Sequence, residues 1–488
     1  MNLLETYSKR LAVAEKAYSK ANAGQPLSEQ KKLITARCLD NITKFLNEAF
    51  DNSVGTQRSD LGAYKRFALN LTTIAIPNLI APDLVITYPM SSMAGYITYL
   101  EYVAGSNKGN TKQGDLFNGV FGLGDADPNY TSYKVITEKK ANASAEQYST
   151  TLNWLPVFPR TVDVIASVAE GGAAAGEFVD IPNADGLTGN LYAKTDVTNG
   201  VYTGAGGVKG TITYKTGAIT INAATFDAAV TIDVNYAYDN VVIPQNDLPT
   251  LNAELKAIPL TAKARRIAIY YSQIAQFQAK QDYGFDLGQG LAEQAVGRLQ
   301  YEIDTEVVKL LADNAAEDAS LTWNRALPTG VSKTDHYEGF SEIISLAGVS
   351  IYNRTKRWMP NYMLIASDIL PIIQMTRGWE AANVSGINGP YLAGTFNGLK
   401  TYVSPSMAAG EFVLGVNGND AMTSAAVYAP YMPVVPTQLL QYADGGTSQG
   451  WSTMYDLKLL NASLLVKGKV IYDLAAQQGS TVYTHPNA

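Results

Sequence analysis

Apolar residues recur at helical spacing through the first 60 residues of the chain. The first stripe comprises Leu3, Leu4, Tyr7, Leu11, Ala14 and Tyr18. After a break at NAGQPLSEQ, Ser28 can cap a second helix, whose stripe comprises Leu33, Ile34, Cys38, Ile42 and Phe45. Residues three and four apart share one side of a helix, so this region predicts two helices that each bury one face.

A different pattern begins near residue 96. YITYLEYV alternates in β-forming residues and leads into the polar loop GSNKGNTKQGD, which predicts the ascending arm of a long hairpin. Residues 160–243 are rich in Val, Thr, Ile, Tyr and Gly, and TITYKTGAITI predicts a tight hairpin that turns at Thr216 and Gly217. Several short strands at regular spacing indicate a small antiparallel sandwich or barrel. Strands resume on both sides of this block, so we interpret it as an insertion within the hairpin.

The strongest helical signal follows. Ser272 can cap a short helix after the alternating Ile267, Ile269 and Tyr271, and Asp286 can cap a long one. The long helix has the stripe Leu287, Leu291, Ala295, Leu299, Ile303, Val307 and Leu310. A single stripe of this length needs another helix or a sheet to cover it. In residues 333–440, FSEIISLAGVSIYN and DILPIIQM read as helices among strands, which predicts an α/β domain. Residues 451–473 return to strand.

Composition narrows the classes of function. The 488 residues carry 37 basic and 44 acidic side chains, a net charge of -7, which argues against a dedicated nucleic-acid binder. Residues 1–70 alone have eleven basic and seven acidic side chains, so a solvated helical arm or one that meets a scaffold or DNA fits them. One cysteine, Cys38, excludes an intramolecular disulfide and fits a reducing cytoplasm. The opening MNLLETYSKR is amphipathic, unlike a signal peptide.

The sequence offers little for binding phosphate, metal or membrane. GAGGVKG, from Gly204, has the composition of a P-loop but lies between predicted strands, so we read it as a turn. Asp125, Asp127 and Asn129 begin like a calcium loop, but Tyr130 stands where glycine is required, which leaves an acidic turn. The apolar stretch from residue 71 to residue 86 is too short and too interrupted by proline to span a bilayer.

Catalytic residues are equally scarce. The chain has two histidines, of which His485 lies in a polar tail and His336 in the predicted loop KTDHYEG. Glu302, Asp304 and Glu306 point in different directions around the long helix and read as its solvated face, not as an acid/base pair. The basic cluster before Trp358 comprises Arg354, Lys356 and Arg357. Solvation or a salt bridge between subunits is the first interpretation of this cluster, and contact with DNA phosphate is the alternative. We predict no catalytic, cofactor-binding or metal residues.

Four segments, in order along the chain, resemble the major capsid proteins of large contractile-tailed phages. They are IPNLIAPDLVITYPMSSMAGYITYLEYV (residues 76–103), the segment from LTAKARRIAIYY to EIDTEVV (260–308), AGTFNGLKTYVSPSM (393–407) and AAVYAPYMPVVP (425–436). The resemblance implies an α+β fold of the Hong Kong 97 capsid type. This fold has an N-terminal arm, an extended β-hairpin loop, a peripheral domain built on a long spine helix and an axial α/β domain, with residues 160–243 as an inserted all-β, sandwich-like domain.

The implied domain division follows these parts. The segments are a helical N-terminal arm (1–60), the lead-in and first half of the extended loop (61–159), the inserted β-domain (160–243), the loop return and peripheral domain (244–332), the axial domain (333–440), and the return to the peripheral domain with the C-terminal tail (441–488).

The resemblance also implies a structural function without enzymatic activity. Copies of the chain would form the pentamers and hexamers of an icosahedral head around double-stranded DNA, which they would contact weakly and without specificity. Scaffolding, portal and decoration proteins would be further partners, and membranes would not. The protein would be found in the virion and, during assembly, in the host cytoplasm. Alternatives are an encapsulin-like protein compartment, a surface-layer or adhesin protein, and an enzyme with an unusual site.

Overall fold

The computed structural model describes most of the chain as two compact units. The described residues are 3–21, 26–51, 69, 73, 76–118, 129–143, 148–168, 174–204, 206–222, 230–241, 248–284, 287–382, 389–418, 420–437, 440–443 and 445–472. The first unit comprises Met1–Tyr99, Val120–Gly122 and Ala257–Ala488. The second comprises Leu100–Gly119 and Leu123–Lys256.

The described α-helices all belong to the first unit. They are α1 (Leu3–Thr6), α2 (Ser8–Ala21), α3 (Glu29–Asp51), α4 (Ala81–Leu84), α5 (Gln273–Tyr283), α6 (Leu287–Asn314), α7 (Lys333–Glu338), α8 (Phe340–Thr355) and α9 (Leu370–Gln374). Helix α6 confirms the long helix that was predicted from Leu287 onward; the predicted cap Asp286 lies outside the described residues.

Strands occur in both units. They are β1 (Ile86–Thr87), β2 (Ala94–Ala104), β3 (Leu116–Asn118), β4 (Lys134–Ala143), β5 (Tyr148–Thr151), β6 (Asp163–Val168), β7 (Ala174–Pro182), β8 (Thr188–Ala193), β9 (Val197–Thr198), β10 (Val201–Tyr202), β11 (Gly210–Thr213), β12 (Ala218–Ile221), β13 (Val230–Ala237), β14 (Leu251–Thr261), β15 (Lys263–Ser272), β16 (Ala316–Asn324), β17 (Tyr362–Ala366), β18 (Trp379–Ala381), β19 (Tyr391–Phe396), β20 (Leu399–Ser404), β21 (Glu411–Gly415), β22 (Ala426–Pro436), β23 (Leu440–Gln441), β24 (Gly446–Leu459) and β25 (Leu465–Ile471).

The main core of the first unit lies between helices and a mixed sheet. The sheet has the order β16-β25-β21-β17-β20-β19-β18. Strand β17 is buried at every position, which is typical of a central strand covered on both faces. Val307 and Leu311 of α6 and Phe340 and Ile344 of α8 belong to the same apolar cluster as this strand. The apolar stripe predicted on the long helix α6 therefore packs against this sheet, as a stripe of that length requires.

A second sheet carries the N-terminal helices. Its order is β1-β22-β24-β15, with β23 beside β24. Leu39, Ile42 and Leu46 of α3 pack with Met432 and Val435 of β22, so one turn after another of α3 is buried on this sheet. The Ser28 side chain accepts a hydrogen bond from the Lys31 backbone N–H at 3.3 Å, which confirms the predicted start of the helix.

The predicted face of α3 is wrong at two positions. Leu33 and Phe45 are exposed, whereas Lys31, Thr35 and Asn41 are buried. The buried polar groups have partners: Lys31 Nζ lies 2.9 Å from an Asp83 carboxylate oxygen, and Asn41 Nδ2 donates to the backbone carbonyl oxygens of Met90 and Tyr431 at 2.7 Å each. A count of apolar residues could not find this face, because specific polar contacts determine part of it.

The second unit contains an eight-stranded antiparallel sheet. Its order is β4-β13-β6-β7-β8-β11-β12-β5. Val164, Leu191 and Val234 are fully buried in its apolar cluster, which draws residues from every part of the sheet. Strands β11 and β12 pair around Gly217, with Thr213 opposite Ala218, which confirms the predicted hairpin. The sheet also includes β4 and β5, which precede the predicted block 160–243; the division into six domains stays a prediction.

Two sequence interpretations are wrong in the first unit. The predicted loop around His336 is helix α7, and His336 stacks on Trp323 with ring centroids 4.8 Å apart while its Nε2 lies 2.9 Å from the Asn324 carbonyl oxygen. Asp304 does not belong to a solvated face, since it is 7% exposed. Its Oδ1 accepts hydrogen bonds from the backbone N–H groups of Ile80 and Ala81, both at 3.1 Å, where α4 begins. Sequence spacing shows the side of a helix but not what packs there.

Candidate assembly surfaces

Strand β2 exposes large apolar side chains on one face, whereas its other face buries Ile97, Val103 and one carboxylate, Glu101. Exposure alternates along it: Tyr96, Leu100 and Tyr102 are exposed, whereas Glu101 and Val103 are buried. Successive side chains of a strand point to opposite faces, so one face of β2 presents aromatic and aliphatic groups to water. In a sheet with one face in solvent, that face usually carries polar residues.

Strand β14, which lies beside β2, is exposed along most of its length. The first seven residues, from Leu251, are all exposed, and Leu255 is 72% exposed. Lys256 Nζ lies 3.0 Å from a carboxylate oxygen of Glu101, and its hydrogen bond with that carboxylate raises the pKa of Lys256. The pairing compensates the buried charge of Glu101. We call Leu100, Tyr102, Leu251 and Leu255, all in the second unit, the ribbon surface.

The polar loop after β2 is held by contacts within the second unit. Lys108 is 2% exposed, and its Nζ donates to the carbonyl oxygens of Tyr130, at 2.8 Å, and Ser132. The same ammonium lies 4.9 Å from the ring centroid of Tyr238 and 5.6 Å from that of Trp154. Such contacts stabilise a desolvated ammonium. Residues 105–115 are therefore part of the folded second unit.

A second exposed apolar group lies where β15 passes into α5. Ser272 caps α5, since its side chain accepts a hydrogen bond from the Ala275 backbone N–H at 3.0 Å; this confirms the predicted cap. Tyr270, Ile274 and Phe277 are each more than two-thirds exposed. Three large apolar side chains this close in sequence and open to water indicate a contact surface.

Helix α8 is apolar on two sides. Phe340, Ile344 and Ile351 are buried against the sheet. Leu346, Val349 and Tyr352, at intervals of three residues, are each a little under half exposed. A helix at the surface of a monomer usually presents charged and polar residues on its outer side, so this stripe is a third candidate contact.

The predicted basic cluster is largely engaged within the first unit. Arg354 Nη2 donates to the Leu465 carbonyl oxygen at 2.8 Å, and burial lowers the pKa of Arg354 against the opposing effect of Asp318. The guanidinium of Arg357 lies 5.8 Å from the ring centroid of Trp358. Lys356 ends α8 with a positive φ of 57°. These contacts lie within one subunit, and the predicted salt bridge between subunits and the contact with DNA phosphate both stay predictions.

The described residues hold little that suggests catalysis. Within them, there is no group of three or more His, Cys, Asp or Glu that could hold a metal ion. Burial raises the pKa of the Cys38 thiol to about 12, so it is a poor nucleophile. Asp125, Asp127 and His485 lie outside the described ranges, and Asn129 and Tyr130 form a turn. Among the helices of the described part, none is long and apolar enough to cross a membrane.

The sequence interpretation missed the residues that now define the surfaces. Leu251 and Leu255 follow two prolines in a segment for which the sequence predicts no element, and Ile274 and Phe277 lie in the helix predicted after Ser272 without a predicted exposure. A usable signal is the run LNAELKAIPLT, in which apolar and polar residues alternate weakly.

Comparison with known proteins gives one strong match and several weak likenesses. The model of the family "Major capsid protein Gp23" matches residues 61–483. A comparison with curated proteins found no match. The capsid of Myoviridae phage XM1 is 8% identical, with a TM-score of 0.34 over 48% of this chain and 80% of that one. A chain from Mycobacterium phage Che8 is 13% identical, with a TM-score of 0.32 over 47% and 76%.

A non-viral shell protein gives a likeness of the same strength. The SrpI encapsulin of Synechococcus elongatus is 12% identical, with a TM-score of 0.31 over 48% of this chain and 81% of that one. Likenesses with such TM-scores carry no argument, and the family match does, because it covers most of the chain. The chain belongs to the Gp23 major capsid protein family and is a structural, non-enzymatic protein of a tailed-phage capsid.

Proposed function

We propose that copies of this chain, folded in the Hong Kong 97 manner, form the pentamers and hexamers of an icosahedral head around double-stranded DNA. The observation that carries the proposal is the ribbon surface, on which Leu100, Tyr102, Leu251 and Leu255 are exposed beside a buried Glu101. These residues lie on β2 and β14, neighbours in a three-stranded sheet with β3, and apolar groups left in water add little to the stability of that sheet. In the proposal, a neighbouring copy covers these residues.

The other surfaces take separate roles in this proposal. Residues 333–440 form the axial domain, and the exposed stripe of α8 contacts the next copy around a five- or six-fold axis. In this proposal, residues 160–243 form an inserted domain. The rings require heterologous contacts, in which two different surfaces of one chain meet on its neighbours. Specific interfaces of this kind bury more than about 1,000 Å².

The net charge of the chain bears on how the shell would contact DNA. A net charge of -7 suits a container that touches packaged DNA weakly. Scaffolding, portal and decoration proteins, and assembly in the host cytoplasm, are further parts of the proposal. An encapsulin-like compartment would share the assembly of copies but enclose protein.

The test substitutes Leu255→Lys in the full chain. Because Leu255 is 72% exposed, the substitution should leave the fold of the subunit intact. We expect loss of shells in electron micrographs and by sedimentation, because a lysine charge would be buried in the contact. The matched control is Leu187→Lys, at a residue that is 63% exposed in a turn between β7 and β8, and it should assemble normally.

Two outcomes would contradict the proposal. Shells of normal size and yield from Leu255→Lys would show that the ribbon surface is not an assembly contact. Shells from infected cells that contained protein cargo and no DNA would instead favour the compartment. The ratio of nucleic acid to protein absorbance in purified particles separates these cases.

A further inference from the structure

The eight-stranded sheet of the second unit has an open seam. Strands β4 and β5 stand at the two ends of its order, and the part of the chain that the structure describes contains no backbone pairing between them. Lys140 of β4 nevertheless reaches the end of β5, where its Nζ donates to the Thr151 carbonyl oxygen at 2.6 Å. The Lys140 side chain is only 12% exposed, so it lies in the seam and not in solvent.

Three functional groups meet at this point. Lys140 Nζ lies 3.3 Å from the carboxamide oxygen of Asn153 and 2.7 Å from Oε1 of Glu138. The backbone N–H of Asn153 donates to the same Glu138 oxygen at 3.2 Å. The carboxylate thus holds the amine from one side and the asparagine from the other. Glu138 is 4% exposed, whereas Asn153 stands at the exposed rim of the seam.

The carboxylate is itself held in place. The Tyr236 hydroxyl donates to the second oxygen of Glu138 and accepts the Trp154 backbone N–H at 3.1 Å. Burial, followed by the Glu138 charge and hydrogen bond, raises the pKa of Tyr236, so the tyrosine stays a donor. Thr151, Asn153 and Trp154 are close in sequence, so these contacts orient one short segment against β4.

We propose that Lys140 and Asn153 condense into an intrachain amide bond that closes the seam, with Glu138 as the proton carrier. Glu138 takes a proton from the Lys140 ammonium, and the freed amine attacks the carboxamide carbon of Asn153. Glu138 then returns that proton to the leaving nitrogen. The new C–N bond replaces the old one, and the ammonia released takes up the second ammonium proton as it enters water. The step is neither an oxidation nor a reduction and requires no cofactor.

The surroundings favour each part of this step. An amine, a carbonyl and a proton carrier held together need no diffusion to meet, which is worth many orders of magnitude in effective concentration. Lysine becomes a nucleophile where water is scarce, because a neutral amine and acid lose less solvation on burial than an ion pair does. The exposed rim at Asn153 gives the ammonia a way out.

Intact-mass spectrometry of the purified full chain tests the bond. We expect the mass to be lower than the sequence mass by one ammonia, and proteolysis to give a branched peptide that joins the segments around Lys140 and Asn153. Lys140→Arg and Glu138→Gln should each have the full sequence mass for their composition. Lys139→Arg, on the exposed side of the same strand, is the control and should retain the loss.

The wild-type chain alone can overturn the proposal. A wild-type mass equal to the sequence mass, with separate unbranched peptides, would show that the three groups form only a hydrogen-bonded seam. Conversion of Asn153 to aspartate would count against it as well, because water and not Lys140 would then be the nucleophile. Neither result depends on a variant that must fold, and neither bears on the proposed assembly.

Discussion

The eight-stranded sheet and the neighbouring strands β2 and β14 differ in where their apolar side chains lie: buried in the sheet, exposed on the ribbon surface. In the sheet, Leu191 and Val234 are completely buried. On the ribbon surface, Leu251 and Leu255 are open to water. Burial of a leucine is worth about 1.5–3 kcal/mol, so the sheet contributes its own stability and the ribbon surface does not. The difference supports the proposal that another copy of the chain covers the ribbon surface.

Shortening one leucine to alanine in each region should give the largest difference in the free energy of unfolding. Leu191→Ala should lower the free energy of unfolding of the second unit by about 2–5 kcal/mol, because it leaves a cavity. Leu255→Ala should change it by less than about 0.5 kcal/mol, because no packing is lost. Hydrogen exchange of the amides in β6, β7 and β8 measures both effects. Equal destabilisation by the two variants would show that the ribbon surface is structural within the subunit.

The core of the first unit is buried, as that of the eight-stranded sheet is, but it includes an ionisable side chain, Asp304. Burial, opposed by the N–H groups of Ala81 and Ile80, raises the pKa of Asp304 from 3.8 to about 7. The folded state therefore binds a proton that the unfolded state releases at lower pH. The stability from this group is complete below the unfolded pKa and is lost as the pH rises through about 7, by at most about 1.4 kcal/mol per pH unit.

A substitution separates this effect from the hydrogen bonds. Asp304→Asn keeps the Oδ1 acceptor and removes the titration, so it should flatten the fall in stability between about pH 5 and about pH 8. The urea midpoint of the first unit, followed by the fluorescence of its tryptophans, is the measurement. Asp313→Asn, at an exposed residue of the same helix, is the control. A wild-type protein whose stability rose over this range would contradict the account.

Residues 105–115 form the loop that follows β2 in the second unit. The sequence predicted a polar loop there, and in the structure Lys108 is buried against two carbonyl oxygens and two aromatic rings. Lys108→Met should cost about 1–3 kcal/mol, since carbonyl oxygens lose their donor in a buried place. Lys112→Met, at an exposed lysine of the same loop, should cost little. Unfolding of the second unit in urea distinguishes the two, and equal effects would place the loop outside the fold.

The smallest effect belongs to the exposed helix α5. Ser272→Ala removes the cap on the Ala275 N–H and should destabilise the helix by about 1 kcal/mol. Faster hydrogen exchange confined to the first turn of α5 is the expected result. If hydrogen exchange also became faster throughout helix α6, the two helices would unfold together.

Local elements were predictable from the sequence because local rules determine them. The stripe of α6, the cap at Ser272 and the hairpin at Gly217 follow from spacing and turn chemistry, and the structure confirms all three. Asp304, Lys108 and Glu101 could not be placed, because their partners are 20 to more than 200 residues away in sequence. For the same reason, the exposed leucines of β14 became visible only when the burial of the whole unit was known.

The most direct test of the account is oxidative footprinting of side chains in free subunits and in assembled shells. We expect oxidation of Tyr102, Leu251 and Leu255 to fall sharply on assembly, while that of Leu187 stays the same. Protection of the first three and not of Leu187 would show that another copy covers the ribbon surface. Equal oxidation of Leu255 in subunits and in shells would contradict the central claim.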